Sequence, residues 1–165
     1  MELAIEQSAD WWEVEALYDL CFAPGREALS SYRLRDGVPP VAHLCVLARD
    51  RDGSVAAAVR YWPVSVGGAD ALLLGPIAVH PTHQGEGLGA FLIRDSLARA
   101  REAGWQRVIL VGDAPFYRRF GFEVNPALEM PPPTNPERVL SLALGPGAWQ
   151  GVAGPVKPAI TGPAR

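Results

Sequence analysis

The residues most able to do chemistry lie in one loop, His80-Pro81-Thr82-His83-Gln84-Gly85-Glu86-Gly87-Leu88-Gly89-Ala90. Its glycines alternate immediately before and into a helical pattern. Glycine lets the backbone adopt positive φ and lets N–H groups approach a ligand closely. A helix start adds unsatisfied N–H donors and the positive end of the macrodipole. Together these make a pyrophosphate cradle. The loop has no Gly-Lys-Ser/Thr, which excludes a Walker A loop. It is G-x-G-x-G rather than G-x-G-x-x-G, and no strand with an acidic ribose ligand follows at the right distance. That argues against a dinucleotide site. The plain alternative is a glycine-rich turn that only starts a helix.

The elements that position this loop alternate between sheet and helix. Residues 3–6 form a short strand. Asp10 with Glu13 fits a capping box that opens a helix through Val14, Leu17 and Cys21 to about Phe22, with Pro24-Gly25 as its stop. A weaker helical piece covers residues 27–34. Residues 41–49 and 55–66 are strands joined by the turn Asp50-Arg51-Asp52-Gly53, and residues 71–79 continue the meander. Apolar residues then recur at helical spacing in Ala90, Ile93, Leu97 and Ala100, which predicts an amphipathic helix from Gly87 to about Ala103, ended by Gly104. Residues 108–111 form a buried strand. A strand–helix–strand unit requires these two strands to be parallel. Pro115 starts a short helix that Gly121 ends, and residues 137–144 form a final strand. The fold class is α/β (α+β), a mixed sheet with helices on both faces.

Length and composition set the frame. The chain has 165 residues, one domain's worth, with 48% apolar and 20% charged residues. Residues 1–148 make that domain; residues 149–165 are a Gly/Pro-rich tail packed on it or extending from it. The net charge is −3, and Lys157 is the only lysine among 15 basic residues, so no strong field favours nucleic acid or an anionic membrane. The longest strongly apolar stretch, residues 71–79, is too short for the roughly 20 residues a membrane span needs. The N-terminus lacks the layout of a signal peptide. Cys21 and Cys45 have no metal spacing and are expected to be free, buried, reduced thiols in a cytoplasmic protein. No metal site is expected.

The loop has company. Gln84-x-x-Gly87-x-Gly89 resembles the Q/R-x-x-G-x-G/A signature of the GNAT superfamily of N-acetyltransferases. Tyr117-Arg118-Arg119-Phe120-Gly121-Phe122 resembles its Y-x-x-x-G-F segment, and Leu74 to Pro81 looks like its central strand. The stretch Val111 to Phe122 is similar to the V-G-D-x-x-Y/F-Y-R-R-F-G-F of bacterial acetyltransferases. The resemblance covers residues 72–123 closely. It implies a central, mostly antiparallel sheet with a parallel, splayed strand pair, and acetyl-CoA as cosubstrate entering the gap. Gly75-Pro76 is consistent with a bulge or a parted neighbour there. Gln84, Gly85, Glu86, Gly87, Leu88, Gly89 and Ala90 would hold the pyrophosphate, and Ile77, Ala78 and Val79 the pantetheine arm. Phe116 and Arg118 would add cofactor contacts, although either Arg118 or Arg119 could reach the phosphates. Tyr117 would be the general acid that protonates the leaving thiolate, since a thiol pKa of about 8.5 and a phenol pKa of about 10 are close enough for transfer.

The general base is open. The central strand carries no Asp or Glu between Ala71 and Val79. Asp113 is the nearest acidic candidate, though Gly112-Asp113 also fits a turn or helix cap. His80 and His83 flank the loop, and His43 fits a structural histidine in an apolar strand. Deprotonation through ordered water is the default. The acceptor is a small-molecule or peptide amine, facing a first helical region that holds Trp11, Trp12, Phe22, Tyr32 and Arg33, with Tyr61 and Trp62 adding to that surface. Neither nucleic acid nor membrane is an expected partner; a homodimer through the tail fits the pattern. The competing function is a CoA-binding regulatory module with weak or no turnover.

Overall fold

The computed structural model describes residues 1–22 and 30–159. Its elements are β1 (Glu2–Ile5), α1 (Trp11–Cys21), α2 (Ser30–Arg33), β2 (Val46–Arg49), β3 (Val55–Val66), β4 (Ala69–Val79), α3 (Leu88–Glu102), β5 (Arg107–Val111), α4 (Ala114–Tyr117), β6 (Glu123–Val124), β7 (Leu128–Glu129), β8 (Val139–Ala143) and β9 (Gly154–Pro158). The sheet runs β1-β2-β3-β4-β5-β8-β6. β4 and β5 are parallel, as the strand–helix–strand unit requires, while β1 to β4 form an antiparallel meander.

The β3–β4 hairpin is the spine. Residues 55–62 of β3 are all buried because both faces of the sheet are covered. Val59 and Tyr61 point to α3, whose Leu92, Ile93, Leu97 and Ala100 share one core cluster with them. Ala58, on the other face, packs with Val14, Leu17 and Tyr18 of α1. Tyr61 is fully buried on the α3 face and shares a 2.7 Å hydrogen bond with Ser96. It therefore does not join an acceptor surface, contrary to the sequence expectation.

Other local expectations shift for physical reasons. Asp10 flanks α1 but makes no cap to it: its carboxylate accepts from Gln7 N–H at 2.7 Å and from Arg49. Glu13 instead accepts from Val55 N–H at 2.8 Å, tying α1 to the start of β3. The strand expected over 41–49 begins only at Val46, because a 3₁₀ turn at Ala42–Leu44 tucks Leu44 into the core. His43 lies in that turn and is exposed, so it is not a core histidine. A 3₁₀ turn likewise occupies Pro136–Arg138, and β8 begins at Val139. Cys21 is half-buried and Cys45 buried, and both are free thiols. The Pro24-Gly25 stop and residues 27–29 of the weak helical piece lie outside the described residues.

β6, β7 and β9 were not anticipated. β9 pairs antiparallel with Val64–Val66 of β3 and parallel with β7. β2 covers only the Val55–Val59 end of β3, so β9 fills the edge that β2 leaves. Pro155 and Pro158 are tolerated there because each part of β9 pairs on one side only, Gly154 and Pro155 with β7 and residues 156–158 with β3, so it has N–H positions that need no partner. No helix among the described residues is long and apolar enough to cross a membrane.

Candidate active site

β4 and β5 share only the pairs Leu72–Val108 and Leu73–Ile109. Beyond them β4 bulges. Val59 faces Ile77 and Tyr61 faces Leu74, so Arg60 stands opposite the two residues Gly75 and Pro76. Gly75 has φ 136°, a value that excludes most other residues, and Pro76 has no N–H to donate. The Tyr18 hydroxyl donates to Pro76 C=O at 3.1 Å and anchors the bulge to α1. Burial raises the Tyr18 pKa well above 10, which keeps that donor protonated.

The opening between the strands is a cavity of about 500 Å³. One wall is the β4 segment Leu73–Ile77, another is Leu110–Asp113 with Phe116 and Tyr117, and the third is Phe22, Ser31, Tyr32 and Arg35. His80 N–H donates to Ala56 C=O, with Val79 opposite Ala57. By antiparallel alternation Ala78 then bonds β3, while Ile77 and Val79 turn their backbone groups to the open edge. Gln84 Nε2 and Cys21 Sγ donate to Val79 C=O at 3.3 and 3.4 Å.

At the end of this opening lies the glycine loop. Gly85 and Gly87 have φ of 87° and 75°, with open space where a side chain would sit, so they are needed for conformation and not for room. Gly89 differs: a Cβ there would meet Val79 Cγ2 at 3.3 Å. The loop and the N-terminus of α3 line a second cavity of about 430 Å³ with Gln84, Ala90, Phe116 and Arg119. Phe116 belongs to both cavities. His83 sits between Glu86 at 3.0 Å and Asp50 at 3.3 Å, and these two partners raise its pKa. Glu86 is thus turned outward as a partner of His83. His80 Nδ1 accepts from Thr82 N–H. Leu88 is buried in the core and contributes only its backbone to the loop.

Of the two arginines, Arg119 and not Arg118 lines the loop cavity. Arg118 is exposed and pairs at 3.5 Å with Glu123. Asp113 caps α4, accepting from Phe116 N–H at 3.3 Å, while still lining the strand cavity. Tyr117 packs edge-on to Phe116 with centroids 4.9 Å apart, and against Phe122 at 6.0 Å. Burial raises its pKa above 10; Arg138 opposes this and Asp113 adds to it. The phenol is therefore a proton holder at neutral pH.

Gly112 explains how Tyr117 fits. Its φ is ordinary, but a Cβ there would lie 2.6 Å from Tyr117 Cε2. Gly112→Ala is expected to push the ring out and destabilise the fold by about 1–3 kcal/mol in thermal denaturation. An unchanged melt would mean the ring has room to move.

Among the acceptor-side residues expected from sequence, Phe22 and Tyr32 reach the cavity. Trp12 is 81% exposed, Trp11 packs over Arg60, and Arg33 donates to Pro132 C=O. Trp62 lies beside Arg35 in an adjoining recess. Sequence reasoning missed Arg35 and Arg138. No local pattern signals either, since each joins the site through a distant chain crossing. Among the described residues no group of three or more His, Cys, Asp or Glu is placed to hold a metal ion.

Comparison with known proteins agrees with this geometry. The profile of the acetyltransferase (GNAT) domain matches residues 40–124. The Escherichia coli (strain K12) N-acetyltransferase YhbS, named as uncharacterized, is 34% identical over 127 residues, covering 75% of this chain and 74% of that protein. The crystal structure of E. coli YhbS in complex with CoA superposes with TM-score 0.82 at 30% identity, over 96% of this chain and 89% of that one. A GNAT acetyltransferase from Brucella melitensis in complex with acetyl-CoA superposes with TM-score 0.68 at 30% identity, over 88% of each chain. The parted strand pair, the glycine loop and these matches agree: the chain belongs to the GNAT family of N-acetyltransferases.

Proposed function

We propose that the chain moves the acetyl group of acetyl-CoA to a primary amine by direct attack within a ternary complex. The observation that carries this is that the two cavities share Phe116 as a common wall. The glycine loop closes one and Tyr117 lines the other.

The residues fit the group they are asked to hold. Gly85 and Gly87 have the conformation that turns successive N–H groups to one side, at the positive end of a fifteen-residue helix. Ile77 offers its strand-edge groups, and Val79 its N–H, to a pantetheine amide, whereas Ala78 serves β3 and contributes only position; the Val79 carbonyl is already taken by Gln84 and Cys21. Acetyl-CoA supplies an activated thioester when bound. The walls around Phe22, Tyr32 and Asp113 place the neutral amine against the thioester carbonyl. As the new C–N bond forms and the C–S bond breaks, Tyr117 gives its phenolic proton to the sulfur. The amine proton leaves through water, with Asp113 as the carboxylate that lines the cavity among the described residues, and Tyr117 is then reprotonated.

The test is acetyl-CoA binding by calorimetry, followed by thiol release against a panel of amines. Amine-dependent release supports the transferase. Binding without release on any amine favours a CoA-holding module, a reading that draws on the lack of a carboxylate between Ala71 and Val79 of β4. No binding overturns the cradle.

The two neighbouring arginines separate cleanly. Arg119→Ala is expected to weaken acetyl-CoA binding about tenfold at low salt, since a hydrogen bond to a charged group is worth roughly 1.5–3 kcal/mol and exposure discounts it. Arg118→Ala should change it by less than about twofold, because its partner is Glu123. Equal effects from both would remove Arg119 from the phosphate site.

A further inference from the structure

Two buried hydrogen-bond donors have no acceptor among the described residues: Arg35 Nη2 and Trp62 Nε1. They are neighbours. The Arg35 guanidinium carbon lies 3.2 Å from the Tyr32 ring centroid and 4.9 Å from that of Trp62. The aromatic faces hold the guanidinium flat without neutralising it. The same protein treats Arg60 differently, giving it the carboxylates of Glu6 and Glu15. Burial draws the Arg35 pKa down, opposed by a side-chain hydrogen bond with Tyr32.

Arg35 is part of the wall of the cavity between β4 and β5. Among the described residues, the charged side chains lining that cavity are Arg35, Arg138 and Asp113. Asp113 is on the Tyr117 side and already caps α4. The cavity therefore has a carboxylate and a phenol on one wall and the stacked Arg35 guanidinium on another. A planar guanidinium with its face covered presents its N–H edge, which matches the two oxygens of a carboxylate. About 500 Å³, shared with the thioester end of the cosubstrate, leaves room for a small acceptor.

We infer that the acceptor is a small amine bearing a carboxylate, which Arg35 binds while the amino group lies toward Tyr117 and Asp113. This rests on the acetyl-transfer function proposed above. It makes Arg35 a specificity-determining residue that acts on the acceptor and not on the cosubstrate.

The test uses matched acceptors: free amino acids, their carboxamides and their aminophosphonate counterparts, each assayed by thiol release from acetyl-CoA. At least one free amino acid should exceed its carboxamide tenfold or more in kcat/KM. In Arg35→Gln that gap should close to about twofold, through a rise in KM for the acid with kcat nearly constant. Arg35→Lys should restore part of it, because it keeps the charge but loses the fork. Calorimetric acetyl-CoA affinity, unchanged in both variants, certifies that they fold. Equal use of acids and carboxamides overturns the inference, as does a gap that survives Arg35→Gln. A preference for the aminophosphonates also overturns it and moves the class to phosphorylated amines. If acetyl-CoA binds but no carboxylate-bearing amine is acetylated, the inference fails and the transferase proposal stands. If acetyl-CoA does not bind, it is the underlying function that fails.

Discussion

Tyr117→Phe should lower kcat by roughly 10²–10⁴-fold, the range for loss of a positioned general acid, and leave acetyl-CoA affinity within about twofold. The two readouts separate because the ring and the hydroxyl have different partners. The ring packs on Gly112, Phe116 and Phe122, and phenylalanine keeps all three contacts. Only the proton is lost. The wild-type phenol, held above its usual pKa of 10 by burial, stays protonated through the neutral range. Its ionisation therefore adds an alkaline limb to kcat only above pH 10, and that limb should vanish in the variant. The raised pKa also makes proton transfer to a thiolate more uphill, and the charge of Arg138 works against that effect. A Tyr117→Phe enzyme running at the wild-type rate would end the general-acid role.

The second large effect lies away from the chemistry. The Arg60 side chain is 3% exposed and pairs with Glu6 at 2.9 Å and with Glu15, which are 10% and 25% exposed. Trp11 and Tyr18 stack over it at 4.2 and 5.1 Å. Burial works to lower its pKa, but the two carboxylates dominate and raise it, so the charge is permanent. Removing one member of a buried pair strands the others, at a cost of about 3–5 kcal/mol. Glu15 is partly solvated, so Arg60→Ala should sit near the low end. At about 2–4 °C per kcal/mol for a chain of this size, the melting temperature should fall by roughly 10 °C. Adding Glu6→Gln and Glu15→Gln should recover part of the loss, since no stranded carboxylate then remains. A single variant melting within about 2 °C of wild type would show that the cluster is structurally idle. Arg60 is also the residue opposite Gly75 and Pro76. Its cluster therefore holds α1, with the Tyr18 hydroxyl, over the bulge that parts the strands.

The legible parts of this molecule are those whose signal is local. Gln84 to Gly89 shows in the sequence because a tight turn into a helix needs glycine at fixed positions, and the stripe Ala90, Ile93, Leu97, Ala100 because one helix face is buried. The strands over Val55–Val66 and Arg107–Val111, and the parallel relation of β5 to β4 through α3, follow from period and connection length. The bulge was foreshadowed by Gly75-Pro76 alone. What was hidden depends on distant chain crossings. Nothing near Arg35 reveals that it faces Arg138 across a cavity. Gly112 resembles any turn glycine until Tyr117 is packed on it. β9 is poor in strand-forming residues and exists because β2 ends early. Residues 41–45 have strand-like composition, but Leu44 reaches the core better from a turn.

The seam between β4 and β5 has a mechanical consequence. Two registered pairs join them, whereas nine join β3 to β4 and five join β5 to β8. The sheet is thus two stiff wings, hinged on a short rung and bridged by α3. Native-state fluctuations that part the sheet should start there, because the fewest backbone bonds resist them. Anything seated along the free edge of Ile77 and Val79 acts as a staple across the hinge. Hydrogen exchange at Leu72, Val108 and Ile109 should then slow when the gap is filled, although none of the three lines the cavity.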